Sequence, residues 1–344
     1  MSYLFIGDPH IKSDNGEAID ILILELERVC SMKRYDAIII GGDVMHYHER
    51  LFTPALNKAL SFIDRLRKIA FTYVLVGNHD AINNSIFLTD AHWMNALKSW
   101  EDVKIVDTIV EGKDILLCPY VPPGRLVEAF ETVCEDWIKK KVIFVHQEIK
   151  GCKMGAIVST DGDEWMDDWP ILISGHIHDH QRIGENVYYP GTPLQHAFGD
   201  SDIRVVCDIE ITNNKPIITF VPLNVPTKRI VKASIDSIKN AISTKKESET
   251  IKIKLDATPE EFSAFKKTSE YTTMMEKGIK IQLAKSTHNN DNDKNDNKNT
   301  TQNESLNFKV LLERLIEEDE EETVKSLYDE LILEKLVISD ISDI

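Results

Sequence analysis

Short apolar runs that end at acidic, amide or imidazole side chains recur five times in this chain, and they limit its fold more than any other feature. The runs are Tyr3–Ile6, Ala37–Ile40, Tyr73–Val76, Val142–Val145 and Ile171–Ile173. Their β-branched and aliphatic residues, followed in most cases by glycine, predict buried strands that end in tight turns. Because ligands of open α/β sheets bind beyond the carboxyl ends of the strands, these turns are candidate functional loops.

The polar residues at these strand ends include histidine at positions 10, 79, 146, 176 and 178. A glycine-aspartate pair after a strand is usually a turn, and a single histidine is more often a structural residue than a ligand. Turn chemistry explains the glycines but gives no reason for histidine at four of the five strand ends. The recurrence therefore predicts a metal site, because each motif lies in the strand-to-loop context that such a site requires.

The donor types indicate the ion and the reaction. Carboxylate, imidazole and amide oxygen together suit Mn²⁺, Fe²⁺ or Zn²⁺, whereas Ca²⁺ and Mg²⁺ prefer shells made only of oxygen. The candidate ligands, too many for one ion, are Asp8, His10, Asp43, Asn78, His146, His176 and His178. If one carboxylate bridges, two ions about 3.5–4 Å apart would stabilise both oxygens of a phosphoryl displacement. The predicted reaction is hydrolysis of a phosphate ester.

His79 is predicted to act in catalysis without binding metal. It follows the proposed ligand Asn78, so it is a candidate acid that protonates the leaving oxygen or stabilises charge on the phosphate. For Asp80 two interpretations stay open. It is either a partner that orients the His79 imidazole or an aspartate that caps the turn.

The spacing of apolar residues predicts an α/β fold. Helical patterns over 18–32 and 54–69 alternate with the first three strands, which indicates parallel pairing through right-handed crossovers. Residues 87–100 and 123–140 are predicted to form further outer helices. Closely spaced strand patterns begin at residue 187. Two sheets packed face to face, with helices outside, fit this order of elements.

Composition does not exclude a polyanionic substrate. The formal net charge is −17, which is unusual for a protein that binds nucleic acid. However, the last segment, 306–344, holds twelve acidic and four basic residues and so accounts for −8 of that charge. Bound cations would also invert the local field at the metal site. The five scattered cysteines favour a reducing compartment, and no apolar run reaches the roughly 18 residues that span a bilayer.

The ordered motifs resemble the full set of the calcineurin-like metallophosphoesterases over about the first 200 residues. They are Asp8-Pro9-His10, Gly42-Asp43, Gly77-Asn78-His79-Asp80, His146 and Gly175-His176-Ile177-His178. The resemblance implies a four-layered α-β-β-α sandwich. It also implies one ion held by Asp8, His10, Asp43 and His178 and another held by Asp43, Asn78, His146 and His176. Asp43 would then be the bridge.

Within that superfamily the chain resembles the SbcD-type nucleases of the SbcCD double-strand-break repair complex. Protein phosphatases carry an Asp-Arg pair shortly after the Gly-Asp motif, whereas here Gly42-Asp43 is followed by Val44-Met45-His46. His46 matches the histidine with which the SbcD family orients DNA for exonuclease work. A polar loop residue without that role is the alternative.

The resemblance implies an exonuclease and endonuclease that uses two divalent ions, Mn²⁺ first, in DNA repair or recombination. It implies duplex ends and single strands of DNA as substrates, an SbcC-type coiled-coil ATPase as partner, and a homodimer. The expected location is the cytoplasm or the nucleoid, or the host cytoplasm for a viral protein. Two rival interpretations stay open, a phosphodiesterase or phosphatase for small molecules and a non-catalytic assembly module.

The pattern predicts four segments along the chain. They are a nuclease domain over 1–222, a small α/β capping domain over 223–285, a disordered linker over 286–305 and a helical segment over 306–344. In the capping domain a helix is predicted over 259–276, between strand patterns. Lys228, Arg229 and Lys232 are candidate phosphate contacts, although surface lysines are often only solvated.

The segment 306–344 carries two short amphipathic stripes separated by an acidic run. Two short helices cannot bury much apolar surface by themselves. We expect them to dock onto the ATPase partner, with packing against the parent domain as the alternative.

Overall fold

A computed structural model describes residues 1–284, except residues 49, 214 and 244–247. The predicted linker over 286–305 and the predicted helical segment over 306–344 therefore lie outside the described residues.

Residues 1–222 form a mixed α/β fold built on two large sheets. The elements, in chain order, are β1 (Ser2–Ile6), α1 (Gly16–Met32), β2 (Ala37–Ile40), α2 (Thr53–Arg67), β3 (Phe71–Leu75), a 3-10 helix (Trp93–Ser99), β4 (Val103–Val106), β5 (Val110–Glu111), β6 (Ile115–Leu117), α3 (Leu126–Glu131), a second 3-10 helix (Trp137–Lys139), β7 (Val142–His146), β8 (Lys153–Met154), β9 (Ile157–Val158), β10 (Ile171–Gly175), β11 (Gln181–Ile183), β12 (Val187–Tyr189), β13 (Val205–Glu210) and β14 (Ile217–Pro222).

Each large sheet has six strands, and its central strands are parallel. The first sheet has the order β14-β13-β1-β2-β3-β4, in which β1 to β4 are parallel and β13 runs antiparallel to β1. The second has the order β11-β12-β10-β7-β6-β5, in which β12, β10, β7 and β6 are parallel. Parallel pairing brings the carboxyl ends of β1, β2 and β3 to one edge of the first sheet and those of β7 and β10 to one edge of the second.

Alternating side chains of the two sheets build the layers. Phe5, Ile39 and Leu75 of the first sheet share one buried cluster with Phe144 and Ile173 of the second. The intervening residues of the first sheet pack instead against α1 and α2, and those of the second pack under α3 and its neighbouring loops. Because strand side chains alternate between faces, each strand serves both its neighbouring layers. The four-layered α-β-β-α sandwich expected from the sequence is confirmed.

Two predicted outer helices are much shorter than their apolar spacing indicated. In 87–100 only the 3-10 helix Trp93–Ser99 forms, since Leu88 takes a positive φ of 48° and His92 bridges back to Ala81. In 123–140 helix α3 ends at Glu131, where the Thr132 hydroxyl donates to the Ala129 carbonyl oxygen at 2.7 Å. Local hydroxyl bonds of this kind compete with helix continuation.

Residues 227–283 form a smaller α/β unit with its own buried cluster. Its elements are β15 (Thr227–Ser234), α4 (Ile238–Ser243), β16 (Glu249–Asp256), α5 (Pro259–Phe265), α6 (Ser269–Glu276) and β17 (Lys280–Leu283). The three strands are parallel in the order β15-β16-β17. The prediction of a single helix over 259–276 is wrong, because α5 ends at Phe265 and the Thr268 side chain caps the start of α6 by accepting from the Tyr271 backbone N–H.

In the part of the chain that the structure describes, we find no helix with the length and apolarity needed to cross a membrane.

Candidate metal centre

The turns after five strands converge and bring together all the ligands predicted from the sequence. Asp8 and His10 follow β1, Asp43 follows β2, Asn78 follows β3, His146 ends β7, and His176 and His178 follow β10. Most of these side chains are almost fully buried; Asp8, His10 and Asp43 are at most 1% exposed. A cluster of this polarity is costly in the interior unless its charges are paired or bind metal.

A first group of possible ligand atoms comes from Asp8, His10 and His178, whose donor atoms all lie within 4.8 Å of one another. The Nε2 atoms of His10 and His178 are 2.9 Å apart. Two imidazole nitrogens and a carboxylate facing one point form a set that borderline divalent ions prefer.

A second group comes from Asp43, His146 and His176, again with donor atoms within 4.8 Å. The Asn78 amide oxygen joins it, at 2.9 Å from both His146 Nε2 and His176 Nδ1. The His146 ring is fixed by its other nitrogen, Nδ1, which lies 2.7 Å from the Gly41 carbonyl oxygen. Because a carbonyl oxygen only accepts, that nitrogen carries a proton and leaves Nε2 to face the group.

Asp43 lies between the two groups. Its Oδ1 is 3.3 Å from His146 Nε2, and its Oδ2 is 3.7 Å from His10 Nε2. Each carboxylate oxygen therefore faces a different group. This is the geometry expected of a bridging carboxylate.

The residues fit a bound cation by two further observations. Both carboxylate oxygens of Asp8 are buried without a hydrogen-bond partner among the described residues, and burial raises the pKa of Asp8 well above its usual range. Burial alone would lower the pKa of His146, yet Asp43 and Asp8 raise it to about 9. The pocket thus favours positive charge at its centre, which a divalent ion would supply.

Backbone strain marks the same turns. Among the described non-glycine residues with positive φ are His10 at 42°, Asp43 at 48° and His176 at 77°. Such conformations cost on the order of 1–3 kcal/mol each and persist where the surrounding structure enforces them. The strain aims these side chains at the common centre.

His79 lies beside the centre without joining either ligand group. Its Nδ1 is 2.5 Å from the His46 carbonyl oxygen, so Nδ1 carries a proton, and its Nε2 is 3.9 Å from Asp43 Oδ2. The side chain is 25% exposed. Nε2 is therefore free to exchange a proton with a substrate bound at the centre, as predicted for an acid catalyst.

Asp80 does not contact the His79 imidazole. One oxygen accepts from the backbone N–H groups of Val44 and Gly77, at 3.2 and 3.1 Å. The other accepts from the Met45 N–H at 3.3 Å and from Trp93 Nε1 at 2.9 Å. Asp80 thus joins the Asp43 and Asn78 turns to each other, which favours the turn-capping interpretation over an orienting role toward His79.

His46 lies against both His10 and His79. Its Nδ1 is 3.4 Å from His10 Nδ1, and its ring stacks at 5.8 Å, centroid to centroid, from that of His79. Burial and the neighbouring Lys12 lower the pKa of His46 to about 4, so the ring is neutral.

Sequence interpretation missed His196. Its ring lies 4.9 Å from that of His10 and 5.6 Å from that of His178, centroid to centroid. Its Nε2 is buried without a hydrogen-bond partner among the described residues. The available signal was a further histidine soon after β12, followed by Gly199-Asp200, but this stretch does not directly follow an apolar strand run.

A groove of about 550 Å³, here called the lysine groove, opens beside His196 and is lined by Lys12, Lys228, Lys280 and Phe198. The Nζ atom of Lys228 donates to the His196 carbonyl oxygen at 3.0 Å. Burial and then Lys12 lower the pKa of Lys228. No carboxylate lies within ion-pair distance of these three lysines among the described residues. Their mutual repulsion favours an anionic ligand.

Acidic groups and an aromatic ring complete the lining of the lysine groove. Asp14, Glu17 and Glu249 also face it, but Glu249 is paired with Arg229 at 2.7 Å. Lys280 lies 5.6 Å from the centre of the Phe198 ring. Of the phosphate contacts predicted from the sequence, Lys228 therefore lines the groove, Arg229 is held by Glu249, and Lys232 is exposed on β15 outside it.

A second cavity, of about 330 Å³, has His79 in its lining and is otherwise lined mainly by apolar groups. Tyr47, Leu51, Ile82 and Trp93 are among them. The centre is thus flanked by a cationic groove and by an apolar pocket.

Comparison with known proteins gives consistent matches. Residues 1–207 match the family described as calcineurin-like phosphoesterase. A protein of Invertebrate iridescent virus 6, provisionally named phosphoesterase 244L, is 47% identical over 275 residues, which cover 77% of this chain and 96% of that protein. A protein of Invertebrate iridescent virus 3, provisionally named phosphoesterase 078R, is 42% identical over 291 residues, which cover 82% and 84%.

Among solved structures, an archaeal phosphodiesterase aligns with 64% of this chain and 100% of its own at 16% identity, with a TM-score of 0.35. This likeness is too weak to carry an argument.

Proposed function

This chain belongs to the calcineurin-like phosphoesterase family, and on that premise we propose that it is a metal-dependent DNA nuclease of the SbcD type. It hydrolyses phosphodiester bonds at DNA ends during double-strand-break repair or recombination. Its substrates are duplex ends and single strands.

The observation that carries this proposal is the lysine groove. Unpaired ammonium groups converge beside the metal ligands in a chain whose net charge is −17. A compact phosphate monoester would contact the metal ligands alone and would leave Lys228 and Lys280 without an anionic partner. A polynucleotide places further phosphates along the groove, and Phe198 offers a surface on which a base stacks.

The catalytic assignment follows from the geometry of the centre. Two divalent ions, Mn²⁺ by preference, would be held by Asp8, His10 and His178 and by Asn78, His146 and His176, with Asp43 between them. Such ions activate water and neutralise charge on a phosphate. When its ring carries a proton on both nitrogens, His79 gives the Nε2 proton to the leaving oxygen, while its Nδ1–H stays bonded to the His46 carbonyl oxygen. His196 closes the side of the centre that faces the groove.

The test is degradation of end-labelled linear duplex and single-stranded DNA with Mn²⁺, Mg²⁺ or chelator, comparing the native chain with His79→Asn. A small aryl phosphodiester is assayed in parallel. Loss of a general acid typically costs 10²–10⁴-fold in rate, and we expect that loss on DNA. DNA hydrolysis that needs Mn²⁺ and His79 would support the nuclease.

Lys280→Glu examines the substrate separately from the chemistry. We expect a higher KM for DNA and unchanged turnover of the aryl diester. The slope of DNA affinity against salt concentration should fall by the equivalent of about one phosphate contact. Lys104→Glu, on the exposed face of β4 and away from the groove, is the matched control. Equal effects of the two variants on DNA would contradict the role of the groove.

A phosphodiesterase for small molecules is the second candidate. The apolar pocket beside His79 favours it, because that pocket would receive an aromatic leaving group next to the proton donor. Turnover of the aryl diester without any action on DNA would support this candidate.

The nuclease is proposed to work as a homodimer with an SbcC-type ATPase supplied by another chain. Support for the ATPase comes from the two amphipathic stripes within 306–344, which lie outside the described residues. Helices of this kind commonly bind in an apolar groove of a partner.

A further inference from the structure

His46 contacts the metal centre through two different groups. Its ring nitrogen Nδ1 faces His10 Nδ1 at 3.4 Å, and its backbone carbonyl oxygen lies 2.5 Å from His79 Nδ1. The rings of His10 and His46 are nearly perpendicular, with an interplanar angle of 79°, so that their edges meet. Neither contact requires His46 to touch a substrate.

The protonation of His10 decides what the ring contact does. Its Nε2 faces His178 Nε2 at 2.9 Å and Asp43 Oδ2 at 3.7 Å, so this nitrogen is the one that would bind metal. A neutral imidazole that binds metal through Nε2 carries its single proton on Nδ1. That proton points at His46 Nδ1, which must then accept it.

We infer that His46 is a positioning residue that holds His10 in the tautomer able to bind metal through Nε2. Metal-binding histidines commonly donate their other N–H to an acceptor, usually a carboxylate, a carbonyl or water. Here the Nδ1 atom of His46, 3.4 Å from His10 Nδ1, takes that place. The proton of the His46 ring then lies on Nε2. His10 is thus the donor to His46, and His46 can donate in turn to a group outside the centre.

The backbone carbonyl of His46 fixes a proton position on His79 in the same way. Because the His46 oxygen fixes the proton of His79 on Nδ1, the exchangeable position of His79 is Nε2, beside Asp43. One loop residue therefore sets the proton positions of a metal ligand and of the proposed acid. The two functions separate experimentally, since a side-chain substitution at position 46 removes the ring and keeps the carbonyl.

This role differs from orientation of DNA, which the family resemblance implies for His46. It rests on the metal-dependent part of the proposed function and is independent of the substrate. A competing assignment also exists, since possible donor atoms of His10, His46 and His79 lie within 4.8 Å of one another and could hold a further ion. The stoichiometry of binding separates the two.

Two variants of the full-length chain test the inference. His46→Ala removes the acceptor at Nδ1. His46→Asn places its side-chain oxygen close to where Nδ1 was, and so keeps an acceptor while losing Nε2. Mn²⁺ binding is measured by titration calorimetry without substrate, with thermal melting to show that each variant is folded.

We expect His46→Ala to weaken one of two Mn²⁺ sites by about 10–100-fold, the range seen when such partners are removed. His46→Asn should bind both ions as the native chain does. Native affinity in His46→Ala, or equal weakening in both variants, would overturn the inference. So would three bound ions in the native chain that fall to two in His46→Ala.

A spectroscopic readout is independent of affinity. In the Zn²⁺-loaded chain, which is diamagnetic, ¹⁵N shifts of labelled histidine report which ring nitrogen carries the proton. In the Zn²⁺-loaded chain, His10 should be protonated at Nδ1 in the native protein and in His46→Asn. In His46→Ala measured without metal, His10 should show mixed tautomers. Failure of the DNA assay would leave both measurements unaffected, so the inference and the proposed substrate are judged separately.

Discussion

Replacing Tyr189 with phenylalanine removes one buried oxygen that supports the loop after His146. The Tyr189 hydroxyl donates to the Gln147 carbonyl oxygen at 2.9 Å and accepts from the Ile149 N–H at 2.9 Å. Tyr189 is fully buried, and burial raises the pKa of its hydroxyl, so the group stays neutral at all physiological pH values.

The two lost contacts have different costs. The Gln147 carbonyl keeps a second donor, the Ser174 hydroxyl at 2.9 Å, so its loss is that of an ordinary hydrogen bond, about 1 kcal/mol. The Ile149 N–H keeps no other partner among the described residues, and an orphaned buried donor costs about 1–3 kcal/mol. The free energy of unfolding should therefore fall by about 2–4 kcal/mol.

Urea unfolding followed by tryptophan fluorescence measures this loss, because Trp165 and Trp169 pack against the cluster that contains Tyr189. Tyr188→Phe is the matched control, since the neighbouring hydroxyl makes a single exposed contact with the Glu185 carbonyl oxygen at 3.2 Å. We expect a change within about 0.5 kcal/mol for the control. Equal stability of the two variants would refute the assignment of the Tyr189 hydroxyl as a buried support.

Two further predictions concern the centre and the tail. A Cβ atom at Gly175 would collide with the Asp8 carboxylate and the Gly41 carbonyl and would lie 2.9 Å from His146 Nδ1. Gly175→Ala should therefore abolish tight Mn²⁺ binding in calorimetry. Gly199→Ala is the control and should not affect binding, because a Cβ atom there meets nothing within 4 Å. Removal of residues 306–344 should leave turnover of a small diester unchanged and abolish co-elution with a coiled-coil ATPase; retained co-elution would contradict the partner proposal.

The strand ends could be predicted because their signals are local. An apolar run, a glycine and a polar ligand lie within a few residues of one another, and turn chemistry at that range depends little on the rest of the chain. Asp8, Asn78 and His176 lie directly beyond the carboxyl ends of β1, β3 and β10, as the strand patterns predict. The order of strand and helix patterns along the chain also predicted the two facing sheets.

The outer helices could not be predicted in the same way. In 123–140 the apolar residues have helical spacing, yet Leu126 and Phe130 reach one buried cluster from the short helix α3 and Trp137 reaches it from a 3-10 helix. Apolar spacing reports which side chains are buried, and several backbone paths satisfy the same burial.

The sequence by itself determined the candidate ligand set and the parallel pairing of the first three strands, since both depend on short motifs and on chain connectivity. Only the tertiary structure decided which groups orient those ligands. Asp80 joins two turns instead of supporting His79, His46 contacts His10 from 36 positions away in the sequence, and His196 and the lysine groove meet the centre from segments distant in the sequence. The physical reason is range: a turn is made by neighbours in sequence, whereas a hydrogen bond or a charge cluster needs only neighbours in space.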